Sequence, residues 1–286
     1  METLTTNCIK SKEHFSVENI ARYSLNLSIS SKEFSYCIID TLQNRCVALE
    51  GFPLEESLET IPLATLDSII DEHAFLSAGY WKEINVMIEE QNFNLIPTAL
   101  FSTDLLTEVL PVSTNLDHHY NSLSSIGISV AYTIPKNIKH WIQGKYPSQS
   151  INYKSPVAVL ISTAQFHKVE TKDTPALFIH LDEDQLHISC IKEKKLLFFN
   201  SFTTRSTEDT AYFTMLVVDQ LKLDQEKTPV KITGNIHTYN SHYLRLGDFI
   251  QSLSFGSRPS SLTFGYEFDE IEEHFYFDLL SLYFTK

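Results

Sequence analysis

The chain has 286 residues, a formal net charge of -14, and 43% hydrophobic against 20% charged residues, a balance that suits one large or two modest packed domains and excludes a disordered chain. Its acidity argues against nucleic-acid and anionic-membrane partners, since the one basic cluster, Lys192 to Lys195, falls in a predicted turn. No apolar run approaches the roughly 20 residues of a spanning helix, the polar first 18 residues do not read as a secretory signal, and Cys8, Cys37, Cys46 and Cys190 form no CxxC pair, so buried reduced thiols and a cytoplasmic location are expected.

In chain order, the alternation of Leu25, Leu27 and Ile29 with Asn26 and Ser28 predicts a half-buried strand at 25–29. A turn at Ser31 to Glu33 leads to a second strand, 34–39, and Gln43-Asn44 leads to a third, 46–52. Pro62 opens a helix whose apolar face is Leu66, Ile69, Ile70 and Ala74, and Gly79 ends it. A strand at 84–88 follows, then residues 95–97 lead into a helical pattern from Thr98 to Val109. Residues 111–125, rich in Ser, Asn and His, read as an exposed loop. Residues 126–134 alternate as a strand, 136–146 read as a helix, and 147–154 as a second loop. Residues 156–167 read as a helix, although their β-branched content also suits a strand, and 169–174 form the candidate boundary.

The second half repeats the first. Strands are predicted at 176–181, 186–191 and 196–202. Ser206 with Asp209 resembles a capping box, opening a helix with Phe213, Leu216, Val217, Gln220 and Leu221 on one face. A strand at 230–233 ends at Gly234. Tyr243, Leu246, Ile250 and Leu253 mark another helix, 262–268 alternates as a strand, and the aromatic stretch 271–284 reads as a buried helix that crosses back onto the first half.

A strand-strand-strand-helix-strand-helix unit that occurs twice predicts an α/β architecture: a duplicated actin-like ATPase, or ribonuclease-H-like, fold with two mixed-sheet halves flanking a cleft. Residues 1–172 form the first half and 173–286 the second. That fold holds nucleotide on the first hairpin turn of each half, where backbone N–H groups must face phosphate. Such a turn needs positive φ and no obstructing side chain, so glycine is the favoured residue. Here the first turn is Ser30-Ser31-Lys32-Glu33 and the second is Asp182-Glu183-Asp184-Gln185, with no glycine in either. Ser30, Ser31 and Lys32 are the candidate phosphate contacts, Asp182 stands where a metal-holding aspartate falls, and Gly234-Asn235 supplies one glycine of the pair expected beside adenosine. Holding an L-residue in the left-handed region costs roughly 1–2 kcal/mol, so two such turns forfeit decades of affinity. ATP and Mg²⁺ are therefore not expected as cofactors, and no metal site is expected. His180 and His187, on neighbouring strands near Asp182, are the best of the weak metal clusters; strand histidines are more often structural.

Several stretches carry a family resemblance: 25–29 with 34–40, 195–202 with Glu208, Asp209 and Tyr212, then 230–234 and the aromatic C-terminal stretch through Leu280. Across most of its length the chain resembles an uncharacterised bacterial family, a domain of unknown function assigned to the actin-like ATPase fold. More distantly, 95–101 and the second half look like the actin-like scaffold protein of type IV pilus assembly and the related cytoplasmic domain of type II secretion. The resemblance implies a non-catalytic cytoplasmic binding or scaffold module with a protein partner, no nucleic acid and no membrane insertion. The rival expectation is a nucleotide-binding actin-like ATPase or kinase with atypical phosphate loops.

Overall fold

The computed structural model describes residues 8–10, 15–54, 63–73, 75–89, 92–164, 174–182 and 184–285. Two compact units emerge: one from Met1–Val159, Ser261–Glu270 and Leu279–Lys286, the other from Leu160–Ser260 and Ile271–Asp278.

The first unit contains β1 (Cys8–Lys10), β2 (Tyr23–Ile29), β3 (Glu33–Asp40), β4 (Arg45–Pro53), α1 (Leu63–Glu72) and β5 (Glu83–Ile88). These continue into β6 (Phe93–Pro97), α2 (Leu106–Val109), β7 (Leu116–Leu123), β8 (Ile128–Pro135), α3 (Lys136–Lys145), β9 (Ile151–Lys154) and the start of α4 (Pro156–Ala164). Its main sheet has the order β1-β4-β3-β2-β5-β9. The β2–β3–β4 meander is antiparallel, and β5 and β9 join in parallel, as helical crossovers require. Leu25, Leu27 and Ile29 pack with Leu66 and Ile70 of α1 and with Ile138 and Ile142 of α3.

Both faces of β2 are buried, not one. The polar members of the alternation satisfy one another. Asn26, Asn85 and Asn152 lie opposite each other on β2, β5 and β9. Asn85 Nδ2 donates to Asn26 Oδ1 at 2.9 Å and Asn152 Nδ2 donates to Asn85 Oδ1 at 3.1 Å. Asn26 and Asn85 are buried, which is tolerable because each has a partner; an orphaned amide costs about 1–3 kcal/mol.

The second unit holds β10 (Ala176–Asp182), β11 (Gln185–Lys192), β12 (Lys195–Thr203), α5 (Thr207–Gln220), β13 (Val230–Thr233), α6 (Ser241–Gly247) and β14 (Leu253–Phe255). The short α7 (Phe277–Leu282) starts there and runs into residues of the first unit. Its sheet has the order β12-β11-β10-β13-β14. This is the β4-β3-β2-β5-β9 order again, with the same strand directions. Even the irregularity repeats: a bulge falls between Ile38 and Ile39 against β4, and between Cys190 and Ile191 against β12. Leu177, Ile179, Leu186 and Ile188 pack with Val217 and Val218 of α5. Ser206 caps that helix by accepting from Asp209 N at 3.1 Å.

Several sequence expectations need correction. The exposed loop at 111–125 contains β7, the outer strand of a three-stranded sheet β6-β8-β7. Its polar composition mimics a loop because much of it is only half-buried. The loop at 147–154 ends in β9, a four-residue strand at the sheet edge. The helix expected from Thr98 to Val109 is broken where Phe101 and Ser102 are extended; the Phe101 ring instead packs on Tyr120, with centroids 4.6 Å apart. Gly79 does not terminate α1, which ends at Glu72, where His73 Nδ1 accepts from Phe75 N and Leu76 N. On α5 the buried residues are Thr210, Ala211, Thr214, Val217 and Val218, a face rotated from the one expected because two threonines lie within it.

Leu253 belongs to β14, not to a helix. Residues 262–268 form no strand: Thr263 makes one bridge to Arg45, and Tyr266–Phe268 is a single helical turn. The expected helix at 271–284 is confined to Phe277–Leu282, since Tyr276 has φ 52°. Pro62, Ala74 and most of the 169–174 boundary lie outside the described residues.

Candidate functional site

The candidate phosphate contacts fall on one turn of the first unit. Ser30 N donates to Glu33 O at 2.9 Å, closing a hairpin around Ser31 and Lys32. The Ser30 hydroxyl is engaged inside that turn, accepting from Lys32 N at 3.2 Å and from Glu33 N at 3.0 Å. Ser31 N donates to Glu89 Oε2 at 2.6 Å. Glu89 follows β5, and its own N–H bonds Ile29 O at 2.8 Å. A carboxylate of the chain therefore holds a backbone N–H of the kind that would face phosphate. Lys32 is exposed, and its carbonyl accepts from Leu54 N.

Asp182, Gly234 and Asn235 belong to the second unit and lie at neighbouring strand ends, because His180 pairs with Thr233 in parallel register. Asp182 is exposed and sits opposite Gln185 at the end of β10. Glu183 lies outside the described residues. Gly234 has φ 113°, and a Cβ there would lie 2.0 Å from Leu181 O. Glycine is thus required by close backbone approach and by φ together. Gly234 N donates to His274 O at 3.1 Å, and Asn235 Oδ1 accepts from Tyr276 N at 3.5 Å. The segment ahead of α7 takes up the polar groups that follow β13.

Beside these groups the second unit encloses a polar pair. His180 and His187 are cross-strand partners with ring centroids 6.1 Å apart. Thr233 Oγ1 lies 3.3 Å from Ile179 O and 3.0 Å from His180 Nδ1, so the hydroxyl bridges that carbonyl and the ring. His187 Nδ1 meets Ser201 Oγ at 2.6 Å. Burial holds both imidazoles neutral, pushing His180 below the ordinary range and His187 down to about 3, with His180 as a second cause for the latter. Phe178, Ser189 and Thr233 join the two histidines around a cavity of about 20 Å³. That is space for roughly one water molecule and far too little for a nucleotide.

Sequence reasoning paired His180 with His187 and singled out Ser201 only as a polar residue ahead of the next helix; it missed Thr233, Glu89 and His274. An acid after a strand carries no signal of which turn it will meet. His118 and His119 lie on β7, not in a loop. His119 is half-buried and accepts from Lys139 Nζ at 3.2 Å; desolvation first, then Lys139, lower it to about 4. Among the described residues, no group of three His, Cys, Asp or Glu side chains is placed to hold a metal ion. Nor, among them, is any helix long and apolar enough to cross a membrane.

The repeated strand order and the paired hairpin turns define an actin-like ATPase fold. A Bacteroides thetaiotaomicron protein described as having that fold and unknown function is similar, with TM-score 0.72 and 24% identity over 85% of this chain and 93% of the other. The PilM-PilN type IV pilus biogenesis complex contains a chain with TM-score 0.60 and 12% identity, over 91% of this chain and 97% of that one. The sequence itself belongs to the family of proteins of unknown function designated DUF3822, whose pattern matches residues 12–253. No curated protein matches it.

Proposed function

We propose that this chain is a degenerate actin-like protein that performs no nucleotide chemistry and serves as a cytoplasmic binding or scaffold module for a protein partner. One observation carries the reading: the Glu89 carboxylate occupies Ser31 N–H at 2.6 Å. A phosphate entering that turn must displace a charge-assisted hydrogen bond worth about 1.5–3 kcal/mol, which is one to two decades of affinity. It would then lie beside the displaced anion. The turn around Asp182 adds acidity without glycine, and Gly234 N–H is already bonded to His274 O. The likeness to the chain in the PilM-PilN complex supports a protein partner, and the net charge of -14 supports the exclusion of nucleic acid.

The rival is an ATPase or kinase that binds nucleotide through Ser30, Ser31, Lys32, Asp182, Gly234 and Asn235, and it requires Glu89 to swing away. Calorimetry with ATP, with and without Mg²⁺, separates the two. The expected result is no heat at millimolar ATP. A micromolar dissociation constant that Asp182→Ala abolishes would overturn the non-catalytic reading.

A further inference from the structure

The two repeated sheets end differently on the side of their third strand. In the first unit β4 is covered by β1, antiparallel, with Cys8 opposite Glu50 and Lys10 opposite Ala48. The equivalent strand in the second unit is β12, and among the described residues no strand lies beyond it. β12 is nine residues long, and none of them is fully buried.

The register shows which groups it presents outward. Asp182 and Gln185 close the two-residue turn between β10 and β11. Counting from that turn, Leu186 and Ile188 direct their backbone groups at Phe202 and Asn200. Ser201 and Thr203 therefore point theirs away from β11. The side chains agree: Ser201 N donates to Asn200 Oδ1 at 2.9 Å, a local substitute for a neighbouring strand. Such a row of outward amides and carbonyls is a template for pairing.

We propose that the outer edge of β12 takes an extended, acidic segment of a partner polypeptide as an added antiparallel strand. This rests on the reading of the chain as a partner-binding module. Two features select that occupant. The internal repeat shows that the equivalent edge accepts an antiparallel strand. The β11–β12 turn places Lys194 and Lys195, both exposed, at the start of β12 in a chain of net charge -14. Lysine on an edge discourages indiscriminate pairing and two chains of net charge -14 repel as wholes, whereas Lys194 and Lys195 give this strand a locally basic end that attracts an acidic segment. Antiparallel addition puts the acidic residues at the C-terminal end of the incoming segment.

The probe is a synthetic peptide, Thr-Val-Thr-Val-Thr-Val-Glu-Asp-Glu, with amide hydrogen exchange of the full chain as the readout. The expected result is slowing of the Ser201 and Thr203 amides by about tenfold or more. Methylating the peptide nitrogens that face β12 abolishes the effect; methylating the alternate set preserves it. Moving the acids to the N-terminal end, or making Lys194→Glu with Lys195→Glu, weakens binding by about three- to tenfold, as exposed charge pairs allow. Peptide at millimolar concentration that leaves β12 unprotected overturns strand addition. So does equal binding of both methylated peptides. Concentration-dependent dimerisation that protects β12 without peptide overturns it in favour of a second copy. ATP calorimetry on the same sample tests the partner-binding reading separately, so the two failures are distinguishable.

Discussion

The two units share a backbone plan and differ in what fills it. Counting from the first turn of each, Ser28 and Ser35 in the first unit stand where His180 and His187 stand in the second. Their partners on the adjoining strand are Met87 and Thr233. One residue further along, Ile88 corresponds to Gly234, and after it Glu89 corresponds to Asn235. The first unit spends its acid on closing the turn, Glu89 to Ser31; the second turns its amide toward the segment ahead of α7. Duplication preserved strand order, strand direction and even the bulge, because those follow from pairing and handedness. It did not preserve the polar groups, which are free to change wherever each retains a partner.

Substitutions at matched positions sharpen this contrast. The largest effect belongs to Gly234→Ala. The new Cβ meets Leu181 O at 2.0 Å with φ at 113°, and the expected loss is about 3–5 kcal/mol by chemical denaturation. A loss below about 1 kcal/mol would mean that β13 shifts freely. Asn85→Ala comes next. It removes the middle of the asparagine row, so that Asn26 Oδ1 loses its shortest hydrogen bond and Asn152 Nδ2 its protein partner, at about 1–3 kcal/mol. A tolerated Asn85→Ala would show that water replaces the row.

Acidification should act on the histidine pair. Their folded pKa values lie below the unfolded value near 6.5, with His187 at about 3. The unfolded chain binds more protons once pH falls below 6.5, so this contribution is complete above that pH and is lost as pH falls towards 3. The slope from His187 alone is about 1.4 kcal/mol per pH unit. His180 and His119 act in the same direction. Urea midpoints between pH 7 and 5 should fall, and less so in His187→Gln; an unchanged pH slope in that variant would contradict a neutral buried imidazole. The smallest effect is Ser206→Ala, which deletes the α5 cap and costs about 1 kcal/mol, measurable as a shift in melting temperature.

Much of this plan is legible in the residues. Leu25, Leu27 and Ile29, matched later by Leu177, Ile179 and Leu181, announce strands because period-two burial leaves a pattern that no other structure satisfies. Ser206 with Asp209 announces a helix start because the cap is local. The failures have a physical reason in each case. β7 and β9 are edge strands, stabilised by a neighbour's hydrogen bonds more than by their own burial. Leu253 has a spacing that suits α6, yet pairing with Val230 places it in β14. Tyr276 interrupts an aromatic run that otherwise has helical spacing.

By itself the sequence determined the repeated α/β plan and the glycine-poor turns, since both are properties of residues close together in the chain. Only the tertiary structure decided what those turns do with their polar groups. Glu89 reaches Ser31 across 58 positions, His274 reaches Gly234, and His180 finds Thr233. A buried N–H must be paired, but which distant oxygen pairs it depends on how strands lie beside one another, and local spacing does not encode that.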